Sequence, residues 1–192
     1  SHIASQALYA AQTRYGDLEG RTVLDLGSGT GMLSIGAAML GADLVIGTEI
    51  DADAVKIFRN NCDDFDLYNV DCVQADVKQL QSLYAGTRFD TVLMNPPFGT
   101  KQNAGIDVLV FLHTGLKLAR GAVYSMHKTS TRDHIKRKAA QWGIEATVVS
   151  MMRYNLDSSY KFHRRRSVDI EVDFWRFVPS AVDTSEAEMH PE

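Results

Sequence analysis

The sequence predicts an α/β protein built on a seven-stranded, doubly wound, mostly parallel sheet that ends in an antiparallel hairpin. Three observations carry this. A strand, a glycine loop and a helical pattern follow one another over residues 21–40. Short apolar runs then alternate with helical stripes as far as residue 142. Two final strands follow with no helix between them. Alternating β and α elements give a parallel sheet covered on both faces, and two consecutive strands give an antiparallel pair.

The elements follow in order. Residues 3–15 read as a helix. Arg21-Thr22-Val23-Leu24-Asp25-Leu26 is a short buried strand running into Gly27-Ser28-Gly29-Thr30-Gly31. Met32, Leu33, Ile35, Gly36, Met39 and Leu40 form a helical pattern that Gly41-Ala42-Asp43 stops. Leu44-Val45-Ile46-Gly47 is the second strand and ends at Glu49. Residues 51–66 carry a helical stripe of Val55, Phe58, Cys62 and Phe65, with Asp51 as its cap. Residues 70–75 form a strand ending at Asp76. Residues 89–94 form the fourth strand. Residues 106–118 are a helix with Val108, Leu109, Leu112 and Leu116 facing inward. Residues 121–126 are a strand, after which His127 and Lys128 read either as RNA contacts or as a surface turn. Residues 130–142 are a helix with Ile135, Ala139 and Trp142 inward. Residues 144–152 and 167–177 are the last strands. In the latter, Val168, Ile170, Val172 and Phe174 alternate with Asp169, Glu171 and Asp173, which predicts one wetter face. The run Val148-Val149-Ser150-Met151-Met152 is assigned to the core rather than to an interface.

The glycine loop suits a nucleotide-like ligand. Its glycines allow a tight turn and close approach to the backbone, and the helix start that follows favours a negative group. Glu49 stands 20 positions after Gly29, where an acid holds a ribose through its hydroxyls. The loop is G-x-G-x-G, not the longer dehydrogenase pattern, and it lacks the phosphate-binding lysine of nucleoside triphosphatases.

A second device is Asn95-Pro96-Pro97-Phe98, directly after residues 89–94. The Asn95 side-chain carbonyl and the Pro96 peptide carbonyl are two acceptors. Prolines have fixed φ and no N–H, so the acceptors are held rigidly without a competing donor. Phe98 offers a flat apolar face. Two fixed acceptors beside a flat face suit a planar amine. The tetrapeptide also reads as a strand-ending turn with its aromatic in the core.

Composition fits one enzyme domain over residues 1–178, with 45% of the chain hydrophobic. No run approaches a membrane span and no secretory leader is visible. Cys62 and Cys72 have no metal-ligand spacing and read as small core residues. The net charge of −4 resides in residues 179–192, an acidic tail expected to be disordered, which leaves the body neutral. Within that body Lys161, His163, Arg164, Arg165 and Arg166 form a cationic run that points to RNA. Lys128, Arg132, Lys136, Arg137 and Lys138 form a second group with one acid, Asp133; it reads equally as a solvated helix face or as an RNA contact.

Together, the glycine loop and Asn-Pro-Pro-Phe resemble the Rossmann-like class I S-adenosylmethionine-dependent methyltransferases that act on exocyclic amines. Asn95-Pro96-Pro97-Phe98-Gly99-Thr100-Lys101, Tyr124-Ser125-Met126-His127-Lys128, and Tyr160-Lys161-Phe162-His163 with the basic run and Ser167-Val168-Asp169-Ile170-Glu171-Val172 look like the methyltransferase-like protein 5 family. The match extends from His2 to about Phe177. The resemblance implies methylation of the N6 amine of an adenine in small-subunit ribosomal RNA. It also implies S-adenosylmethionine as cofactor, a small zinc-binding activator subunit as heterodimer partner, and a nuclear, nucleolar and cytoplasmic location. Family members carry further residues upstream that help close the site.

By resemblance, Glu49 holds the cofactor ribose and Asp76 its adenine, while Asp25 and Gly27, Gly29 and Gly31 shape the methionine end. Asp76 reads equally as a helix cap. Asn95 and Pro96 would accept hydrogen bonds from the target amine and aim its lone pair, with Phe98 stacking on the base and Lys128 joining the basic run on RNA. Guanine N2, DNA adenine and protein glutamine are rival substrates. A noncatalytic RNA-binding scaffold is the rival of a different class.

Overall fold

The structure is a computed structural model, and it describes residues 2–96, 108–156 and 168–179. Seven strands form one sheet in the order β3-β2-β1-β4-β5-β7-β6. They are β1 (Thr22–Leu26), β2 (Leu44–Glu49), β3 (Val70–Gln74), β4 (Phe89–Met94), β5 (Ala119–Lys128), β6 (Ile144–Leu156) and β7 (Val168–Pro179). Strands β1 to β5 pair in parallel. Strand β7 runs antiparallel between β5 and β6. The predicted architecture therefore holds, terminal hairpin included.

Alternation along the central strands separates two cores. Val23, Val45, Leu93 and Tyr124 face α1 (His2–Tyr15) and α2 (Met32–Met39). Next to them Cys62 and Phe58 of α3 (Ala52–Asp64) pack with Cys72. Leu24, Leu26, Val92, Met94 and Val123 face the other way, onto α4 (Leu80–Leu83), α5 (Val108–Leu118) and α6 (Arg132–Gln141). Both cysteines are buried and free, as expected of small core residues. Asp51 caps α3 by accepting from the Asp53 N–H at 2.9 Å.

Several expectations need correction. The inward residue in the first turns of α5 is Phe111; Val108 and Leu109 are only partly buried. Trp142 does face inward as expected, packed half-buried against the core, but it stands just past α6 as its C-cap. The run at 148–152 is split: Val149 and Met152 are buried, whereas Met151 is 70% exposed. His127 and Lys128 do not follow the strand but end it, and His127 is buried. Its imidazole stands edge-on to Phe177. Burial pushes its pKa down to about 4 against the pull of Asp173, so the ring is neutral at physiological pH.

Asp173 is the clearest departure. Its place on the predicted wet face of β7 is fully buried. Arg132, the first residue of α6, grips it with Nε and Nη2, both at 2.7 Å, and Thr129 donates at 2.9 Å. Burial works to raise the carboxyl pKa, but these donors hold it below the ordinary range. The group fastens the start of α6 to the hairpin.

A second polar knot lies under the opposite face. Tyr124 Oη donates to Asp17 at 2.7 Å, and Arg176 Nε donates to the same carboxylate at 2.9 Å. The Arg176 guanidinium also lies 4.3 Å from the centre of the Tyr15 ring.

Candidate cofactor and amine site

The site forms where four parallel strands end side by side. Gly27 follows β1, Glu49 closes β2, Asp76 follows β3 and Asn95 follows β4. These four residues line one cleft of about 320 Å³, with Thr48, Ile50, Ala75, Val77 and Phe111 completing its walls. A ligand site beyond the carboxyl ends of parallel strands is where this sheet type places one, and ligand sites run from roughly 300 Å³ upward.

The glycine loop is held by its surroundings. Ser28 N–H donates to the Thr48 carbonyl at 3.0 Å, and the Asn61 amide donates to the Thr30 carbonyl at 2.8 Å. Gly27 has φ +66°, and a Cβ there would stand 3.0 Å from the Phe111 ring. Gly31 has φ +91°, and its Cβ would stand 2.7 Å from the Phe58 ring. A Gly31→Ala variant combines a left-handed backbone with a clash. It is expected to lose about 2–4 kcal/mol of stability, read as a lowered thermal midpoint.

Glu49 does more than the sequence suggests. Its Oε2 accepts from the Gly29 N–H at 2.8 Å, and its Oε1 accepts from Ile50 and Asp51 at 2.8 and 3.0 Å. One carboxylate thus ties the glycine loop to the tip of β2. Asp76 takes the capping role that the sequence also offered. It caps the following 3-10 turn by accepting from the Lys78 N–H at 2.9 Å, and it lines the cleft.

Asp25 lies beneath the loop rather than in the cleft wall. It is fully buried and accepts from Ser34 Oγ at 2.6 Å, while its Oδ1 has no partner. Burial pushes its pKa up to about 7; the Ser34 hydrogen bonds oppose this and the Glu49 charge adds to it. Gly29 and Gly31 shape the loop and do not line the cleft. Asn95 is exposed and Pro96 is buried. Pro97, Phe98, Lys161, His163, Arg164, Arg165 and Arg166 lie outside the described residues, as does the acidic tail.

The cleft suits S-adenosylmethionine. Ile50, Ala75, Val77 and Phe111 give apolar walls for a flat ring. Glu49 and Asp76 offer acceptors for hydroxyls and an exocyclic amine. The bare backbone at Gly27 leaves room that a side chain would fill. Ile50 and Val77 directly follow the two acids, so a search for apolar residues after strand-tip acids would have found them. Phe111 comes from α5 and carries no local signal. Among the described residues no cluster of acidic, histidine or cysteine side chains is arranged to hold a metal.

The comparisons with known proteins agree with this geometry. Residues 3–118 match the family model "Methyltransferase small domain". The chain is 56% identical over 176 residues to the rRNA N(6)-adenosine-methyltransferase Mettl5 of Drosophila melanogaster, covering 92% of this chain and 82% of the relative. It belongs to the rRNA N6-adenosine-methyltransferase METTL5 family. The METTL5 protein of Danio rerio is 54% identical, over 93% of this chain and 86% of its own length. A solved candidate RNA methyltransferase from Pyrococcus horikoshii superposes with a TM-score of 0.77 at 32% identity, covering 96% of this chain and 84% of that one. This METTL5-family chain is an S-adenosylmethionine-dependent methyltransferase.

Proposed function

We propose that the protein transfers a methyl group from S-adenosylmethionine to the N6 amine of an adenosine in small-subunit ribosomal RNA, as the catalytic subunit of a heterodimer. The observation that carries the reading is the meeting of Gly27, Glu49, Asp76 and Asn95 in one cleft at four adjacent strand ends. Cofactor acids and amine acceptor share a wall, as a group transfer between two bound partners requires.

When bound, the cofactor supplies an electrophilic methyl group on a sulfonium. Glu49 and Asp76 hold it by accepting hydrogen bonds, and the apolar walls keep water from its ring. Asn95 Oδ1 and the Pro96 carbonyl accept the two protons of the target amine. That pairing draws the nitrogen lone pair out of conjugation and aims it. As positive charge develops on nitrogen, the same two acceptors stabilise it. The N6 ammonium product then loses a proton readily, so no strong base is needed. Neutral His127, with a depressed pKa, is not suited to that task.

Two features support RNA and a partner. Leu156 and Val168, the paired ends that flank the Lys161–Arg166 segment, lie beyond Lys128 on the edge of the sheet that carries Asn95. On the sheet face covered by α1 and α2, Tyr9, Met32, Met39 and Phe65 line an apolar groove of about 730 Å³. An apolar face of that kind suits a protein partner, here the activator subunit.

The test is methyl transfer from labelled S-adenosylmethionine to small-subunit ribosomal RNA, with and without the activator, read by mass spectrometry of nucleosides. N6-methyladenosine is the expected product, and more of it with the activator. A methylated guanosine or a labelled protein would replace the substrate assignment. RNA binding without transfer would replace the enzyme reading with a scaffold.

A further inference from the structure

We propose that the outer face of α6, led by Lys128 at the end of β5 and continued by Lys136 and Arg137, holds the sugar-phosphate backbone of the RNA strand beside the target adenosine. The inference rests on the RNA-methylating reading and extends its substrate contact to a second surface.

Position comes first. Strand β5 is the neighbour of β4, with Met94 and Ser125 in register, so Lys128 lies beyond the level of Asn95 at the same edge of the sheet. Helix α6 begins four residues later. Ile135 and Ala139 bury its inner face, which turns Lys136 and Arg137 to solvent. Lys136 stands about 6 Å and Arg137 about 7.5 Å along the helix axis from Arg132. The start of the helix is fixed, because Arg132 is bound to buried Asp173 through two short hydrogen bonds. The cations therefore stand on a rigid mount.

Charge comes second. Between residues 128 and 144 the only acid is Asp133, against Lys128, Arg132, Lys136, Arg137 and Lys138. Arg132 is already matched by Asp173. Among the described residues Lys128, Lys136 and Arg137 make no ion pair, although Asp133 stands four residues before Arg137. A solvated helix face ordinarily mixes both signs at such spacings. Here cations without an ion-pair partner gather on α6, in a body whose charges sum to zero. A polyanion that releases counterions on binding fits such a face.

The experiment uses the protein with the activator subunit and small-subunit ribosomal RNA. Lys136→Ala, Arg137→Ala and the double variant are compared with Lys56→Ala, an exposed cation on α3 across the sheet. The expected result for the double variant is an RNA KM raised on the order of tenfold with kcat unchanged. The slope of log affinity against log salt should fall by about 0.7 per side chain removed, and Lys56→Ala should change neither. Equal KM values and equal salt slopes for the α6 and α3 variants would overturn the proposal. Should the wild-type protein form no N6-methyladenosine, the catalytic reading fails, and the salt slopes of RNA binding still decide the role of α6.

Discussion

Replacing Asn95 by alanine is expected to lower kcat for methyl transfer by about 10²–10³-fold, the range for loss of one preorganised group that stabilises developing charge. Asn95 sits at the mouth of the cleft and is exposed, so its removal disturbs little packing. The cofactor Kd should move by no more than about tenfold, the worth of one hydrogen bond. Asn95→Asp keeps an acceptor in place and should retain more activity than Asn95→Ala. Single-turnover rates and cofactor titrations on both variants check this. An alanine enzyme within tenfold of the wild-type kcat would remove Asn95 from the reaction.

The second large effect concerns Asp25. Its folded pKa of about 7 lies above the ordinary 3.8. Between those values the unfolded chain has lost the proton and the folded chain keeps it. Stability attributable to this group is therefore fully present below about pH 4 and is lost as pH rises towards 7. The loss is on the order of 4 kcal/mol. Asp25→Asn imitates the neutral acid, so its stability should lack this pH slope. It should exceed the wild type at pH 8, and the gap should close towards pH 4. Urea unfolding of both proteins across that range measures it. Parallel curves would mean that Asp25 is ionised in the folded protein at neutral pH.

The sheet was readable because its central strands are apolar on both faces and sit at regular intervals between helical stripes. Val23-Leu24, Val45-Ile46 and Val92-Leu93 each send neighbours into opposite cores. The strand-tip acids and Asn95 were readable because each stands where an apolar run stops. What escaped depends on pairs far apart in sequence. Asp173 looks like a solvent-facing carboxylate until Arg132, 41 residues away, is folded against it. Phe111 joins the cleft only because α5 packs beside β4 and β5 with its first turns at that cleft. Glu49 shows its loop-binding role only once Gly29, 20 positions earlier, lies beside it. No periodicity carries such information; packing does.

Strand β7 is the last of the seven in the chain, yet it lies between β5 and β6. During synthesis β6 emerges first and has no place on the sheet until β7 arrives to bridge it. Until then β5 presents an unpaired edge, open to mispairing with other chains. The Asp17 carboxylate likewise waits for Arg176, made 159 residues later. A frameshift or stop codon before residue 168 would thus remove one strand and strand a second. It would also unfasten α6, because Asp173 goes with it. The amine acceptors at Asn95 and Pro96 would still be encoded, but the protein would not be able to finish the surface beside them.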